Sequence, residues 1–152
     1  MAVTVSLAVM TALAPAGSAD SRIGHLVCVD LGAQITEPRE ALGVTESDLR
    51  EALLVGVKAR MPRLLVNNGC PDALRMLIVP GTPTPGVVYG AADLALLRRA
   101  FVAETGQPSR SEAWRMTFVF HGPPAEVKTQ LLGILNDMLG RFAADYHGSG
   151  NP

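Results

Sequence analysis

The chain reads as an α+β domain in which two helices pack on one face of an antiparallel-rich sheet, and three stretches carry that reading. Trp114, Met116, Phe118 and Phe120 alternate with Arg115, Thr117, Val119 and His121, the period-two pattern of a half-buried strand. Val127, Leu131, Ile134, Met138, Phe142 and Tyr146 recur every three or four residues, widened by Leu135 and Leu139. They form one apolar stripe on a long helix, and a broad sheet face is its natural cover. Thr45 and Asp48 have the spacing of a capping box, and Leu49, Ala52, Leu53, Gly56, Val57 and Arg60 follow at helical intervals.

The remaining elements follow in chain order. Ile23 to Leu31 is β-rich and almost wholly apolar, which predicts a strand buried on both faces. Gly32, Pro38 and Gly43 mark residues 32 to 44 as a connecting loop. The helix that begins after Thr45 ends at Met61-Pro62, because proline lacks an amide donor and disfavours the helical conformation of the residue before it. Leu64-Leu65-Val66 then reads as a short strand, and Asn67 to Asp72 as a dense turn. Leu74 to Val79 predicts another strand, stopped by a loop that Pro80, Pro83 and Pro85 stiffen. Val87 to Glu104 is ambiguous: its propensities favour a helix, whereas Val88, Gly90, Ala92, Leu94, Leu96, Arg98, Ala100 and Val102 also alternate as a strand would. Gly106 to Ser109 breaks the chain before the tryptophan strand. The last helix opens with Pro123 and Pro124, where a missing amide hydrogen costs nothing, and closes on Gly148-Ser149-Gly150.

The amino terminus carries an address. An uncharged apolar run from Val3 to Leu13 passes through Pro15 and ends on the small residues Gly17-Ser18-Ala19, the pattern of an export signal cleaved before Asp20. The first basic residue is Arg22, so residues 1 to 19 form a signal peptide without its basic start. The protein is expected to be exported, periplasmic or extracellular. A run of about a dozen residues is well short of the roughly 20 that span a bilayer, so no transmembrane anchor is expected. Residues 20 to 152 are then one α+β domain of roughly 130 residues. Thirteen Lys and Arg against fourteen Asp and Glu, spread without long runs, leave no basic field for a nucleic acid or for an anionic membrane surface. Aromatics make up 5% of the chain, so the core must be mainly aliphatic.

Few residues carry recognisable chemistry. Cys28 and Cys70 are the only cysteines, and in an exported chain they are either a disulfide or two unpaired thiols. Reduced, Cys70 in its turn is the best candidate nucleophile. His25 and Cys28, three apart on a strand, face opposite sides and cannot share an ion. His121 and His147 stand at opposite ends of the last helix. Asp30, Glu37 and Glu40 could supply a carboxylate pair, although such acids usually solvate a loop. Arg98, Arg99 and Arg115 form an anion or partner stripe if Val87 to Glu104 pairs with the tryptophan strand. Phosphate-loop and dinucleotide fingerprints do not occur, and no catalytic residue, cofactor or metal site is expected.

Leu49-Arg50, Trp114, Phe142-Ala143-Ala144-Asp145-Tyr146 and Asn151-Pro152 together resemble a pattern found in small exported bacterial proteins of unknown function. The resemblance implies that Val87 to Glu104 forms a long strand in a hairpin, which brings the sheet to about five strands in the order β-α-β-β-β-β-α, the last four as a meander. It carries no catalytic residues across. The expected role is an exported non-catalytic binding or assembly module, with an envelope protein or an apolar ligand as partner. The alternatives are a small thiol-dependent or hydrolytic enzyme using Cys70, and a homo-oligomeric structural subunit.

Overall fold

The computed structural model describes residues 23–81 and 84–151; the expected signal peptide lies outside them. The elements are β1 (Cys28–Ile35), α1 (Glu46–Arg60), β2 (Leu65–Val66), β3 (Ala73–Pro80), β4 (Val88–Phe101), β5 (Pro108–Gly122) and α2 (Pro124–Gly148), with one short 3-10 turn at Glu40–Leu42. The class is α+β, as the periodicities predict. The sheet is mixed, in the order β2-β1-β3-β4-β5. Strand β1 runs parallel to both β2 and β3, and β3, β4 and β5 form an antiparallel meander. The expected four-strand meander is therefore three strands long. Strand β2 crosses back over α1 to the far side of β1, since parallel neighbours need a crossover that a tight turn cannot make.

Two boundaries also differ from the sequence expectation. The first strand begins at Cys28 and runs through Gly32 to Ile35, where a loop was expected. His25 adopts a positive φ of 61°, a conformation that breaks an extended run, so residues 23 to 27 precede the strand, with Ile23 and Leu26 buried in the core. Gly32 continues in the strand because its backbone pairs with Arg75. Nor is β1 buried on both faces. Val29, Leu31 and Ile35 enter the core, while Asp30 and Gly32 stay partly accessible on the other side.

Both helices lie on one face. Leu49, Leu53 and Val57 of α1 join Val127, Leu131, Leu135, Met138, Phe142 and Tyr146 of α2 in a single cluster with Leu74, Met76, Ile78, Ala92, Leu94, Leu96, Trp114 and Phe120 from the strands. The α1 N-terminus is closed by the expected capping box: the Thr45 hydroxyl accepts from the Asp48 amide at 3.1 Å, and Asp48 accepts from the Thr45 amide at 2.8 Å. Hydrogen bonding to Thr45 holds the Asp48 carboxyl below its ordinary range, and Lys128 adds a smaller push in the same direction. The two helices touch at Gly56, where a Cβ would overlap the end of the Leu139 side chain, so a larger residue there requires that leucine to move.

Asn151 ties the two ends of the domain together. Its buried side-chain amide donates to the Ile23 and Tyr146 carbonyls at 3.1 and 3.0 Å and accepts from the Leu26 amide at 3.0 Å. Asn151→Ala leaves buried backbone groups without partners and is expected to lower stability by about 1–3 kcal/mol. A fall in the urea midpoint with an unchanged slope would report it. No change in midpoint would mean that water replaces the side chain.

Candidate functional site

Among the described residues nothing covers the face of the sheet opposite the helices, and the strand register arranges it in rows. Gly32 of β1 lies beside Arg75 of β3, Arg75 beside Ala95 of β4, and Ala95 beside Arg115 of β5. The adjacent row runs Gln34, Leu77, Asp93 and Thr117. Directly paired residues share a face, so all eight side-chain positions point to the same side. All of them except Thr117 line a shallow concavity of about 480 Å³, in which the small residues Gly32 and Ala95 lie beside the arginines and Glu112 also takes part.

The arginines at this concavity are neutralised in place. Arg75 extends over Gly32 to Asp30 at 2.6 Å, and a Cβ on Gly32 would occupy the path of the guanidinium. Arg115 reaches Asp93 at 2.9 Å and Glu112 at 3.5 Å, and the Thr117 hydroxyl also donates to Asp93. Asp93 is 7% exposed although it faces the open side, because Arg115 and Thr117 cover it. The hydrogen bond that Arg115 donates to Asp93, followed by the charge of that carboxylate, raises the guanidinium above its ordinary value. The arrangement holds fixed donors and acceptors around two small residues, which suits the docking of a polar partner surface. Nothing in it resembles a nucleophile with its base.

The three arginines of the expected stripe are not together. Neighbouring residues on a strand face opposite ways. Arg98 is accordingly on the helix side, where it donates to the Gly24 carbonyl at 2.9 Å and pairs with Asp72 at 3.3 Å. Arg99 is on the open side with its guanidinium 5.2 Å from the centre of the Phe101 ring. Arg115 lies further along that side, with Asp93. Arg99 stands directly opposite Arg110, a residue that no motif singles out in the sequence; only the hairpin register could have revealed it.

Cys28 and Cys70 are joined in a disulfide, with their Cα atoms 5.6 Å apart. Cys70 therefore has no thiol to act as a nucleophile, which removes the thiol-dependent alternative. The acids are dispersed: Asp30 pairs with Arg75 and Glu37 with Arg39, while Glu40 begins the 3-10 turn. His147 contacts the Arg60 carbonyl at 3.0 Å, whereas His121 is on the open face opposite Tyr89. Among the described residues no group of His, Cys, Asp and Glu has the arrangement of a metal site, and no helix is long and apolar enough to cross a membrane. The aromatic row of β5 is packed under α2, where the Trp114 ring meets Phe142 edge-on at 5.0 Å and its indole donates to Asp145 at 2.8 Å.

No protein-family model and no curated protein sequence matches the chain. Several solved structures are similar to it at low identity. A crystal structure of an uncharacterised protein covers 77% of this chain and 86% of its own, with 13% identity and a TM-score of 0.41. A dodecamer of a PelC variant from Paraburkholderia phytofirmans covers 77% and 85%, at 11% identity and a TM-score of 0.46. A minor lipoprotein from Acinetobacter baumannii covers 85% and 96%, at 11% identity and a TM-score of 0.41. Likenesses at this level transfer no residue role to this chain.

Proposed function

We propose that the protein is an exported, non-catalytic binding module that docks an envelope protein on the uncovered face of its sheet. The observation that carries the reading is the pair of small residues Gly32 and Ala95, with Arg75 and Arg115 held beside them by Asp30 and Asp93. Because these charges are already paired, an incoming surface meets fixed hydrogen-bonding groups rather than flexible ones, and less side-chain ordering opposes association. The signal-like residues 1 to 19 and the disulfide support an oxidising compartment outside the cytoplasm.

Cross-linking in the envelope fraction tests the reading with two variants on opposite faces. Ala95→Trp fills the slot between the arginines, and Val55→Glu places a charge on the exposed side of α1, where Val55 is 62% exposed. The expected result is one specific partner recovered with the wild type and with Val55→Glu, and depleted at least about tenfold with Ala95→Trp, as blocking the centre of an interface does. Equal recovery with both variants would show that the partner binds elsewhere. A wild-type protein that recovers no partner would also count against the module.

A further inference from the structure

The β4–β5 hairpin outgrows the sheet. Strand β3 pairs with β4 only from Gly90 to Leu97, whereas β4 and β5 remain paired out to Phe101 and Pro108. The last rungs therefore form a two-stranded arm, and on its open side Arg99 and Arg110 are cross-strand partners. Like charges placed directly opposite each other destabilise a ladder. Elsewhere on this face each arginine has an acid: Arg75 has Asp30 and Arg115 has Asp93. Among the described residues neither Arg99 nor Arg110 has a carboxylate within ion-pair distance. Glu112, two residues from Arg110, is turned to Arg115, and Asp72, which accepts from the Arg99 amide, is paired with Arg98. Glu104 belongs to the exposed turn at the arm's end.

Arg99 and Arg110 line a cleft of about 380 Å³ with Pro71, Pro108 and Ser109. Pro71 adjoins Cys70, so the disulfide fixes that wall, and Asp72 pins the same loop to the base of the arm. We propose that Arg99 and Arg110 bind a phosphate group in this cleft. One guanidinium suffices for the two oxygens of a carboxylate, whereas two side by side match the several oxygens and higher charge of a phosphate. Phe101, 62% exposed beside Arg99, offers an apolar contact to the organic part of a phosphoester. The inference is independent of the partner site around Ala95, and Ala95→Trp should leave phosphate binding intact.

The test uses the full chain and two probes: inorganic phosphate, followed by the side-chain NMR signals of the arginines, and phosphatidylglycerol vesicles, followed by co-sedimentation. Saturable binding of either probe is expected to weaken about tenfold in Arg110→Gln, the loss that follows removal of one charged hydrogen-bond donor. Arg63→Gln, which changes an exposed arginine outside the arm, should behave as the wild type does. Retention of the near-ultraviolet signal of Trp114 in Arg110→Gln checks that the fold persists. Binding of phosphate alone assigns a soluble phosphate ligand, and binding of the vesicles assigns a lipid headgroup; either outcome, if lost in Arg110→Gln, supports the cleft. Failure of both probes to saturate would overturn the proposal, as would equal losses in Arg110→Gln and Arg63→Gln.

Discussion

Replacing both cysteines, in a Cys28→Ala, Cys70→Ala double variant, is expected to destabilise the domain by about 4 kcal/mol, the chain-entropy effect of opening a loop this long. The bridge spans 42 residues and encloses β1, α1 and β2. Its loss lets the unfolded chain expand, whereas the cluster between helices and sheet includes neither cysteine. Urea unfolding under native and reducing conditions measures the difference, and reduced wild type should coincide with the double variant. A loss below about 1 kcal/mol would mean that the reduced unfolded chain keeps much of its compactness, a known reason for weak disulfide effects. The same variant should also free the Asn67–Asp72 loop. Asp72 would then hold the base of the arm less firmly, since its carboxylate joins that loop to the Arg99 amide and the Arg98 guanidinium.

Local periodicity made the elements legible where one face alone meets the core. The stripe of α2, the alternation of β5 and the Thr45–Asp48 cap each depend on residues within a few positions of one another, and each stands in the structure as read. The strand order was not legible in that way. Nothing near Leu65 or Leu74 states that both flank β1, because parallel neighbours are joined by distant crossovers and leave no turn signature. The ambiguous segment from Val87 to Glu104 has helical propensity, yet its β4 strand is fixed by pairing with β3 and β5 on either side, a tertiary effect that outweighs local preference.

The candidate site was less legible than the fold, for a related reason. Arg98 and Arg99 are adjacent in sequence and so divide between two faces, while Arg99 and Arg110 are eleven positions apart and meet. Only the position of the turn around Gly106, whose φ is +64°, fixes that register. The pairs Asp30 with Arg75 and Asp93 with Arg115 arise in the same way, from neighbouring strands rather than from any motif. A surface assembled across strands gives a sequence reader charges without partners.

Phe142→Ala should be comparably damaging, at about 3–5 kcal/mol, because it removes a fully buried ring from the contact between α2 and the sheet. Phe142 packs edge-on against Trp114, and one turn further along α2 Asp145 accepts the indole hydrogen bond. The ring contact and the hydrogen bond thus fix a single tryptophan position on β5. Removing the phenyl group leaves a cavity beside Trp114, so the near-ultraviolet signal should weaken and the emission shift to the red as water approaches the indole. Trp114 is also the residue at which β5 passes through the irregularity opposite Leu96 and Leu97, where the pairing skips Ala113. A bulge of this kind re-aims the strand beyond it, and here the residues beyond it are Glu112 and then Ser111 and Arg110 of the arm. Loosening Trp114 should therefore reach the open face: cross-peaks of Arg110 are expected to broaden in Phe142→Ala and to stay sharp in Val55→Glu. If stability falls while the Arg110 signals remain unchanged, the arm is held by Asp72 and its own ladder, and the core beneath the tryptophan contributes only to folding.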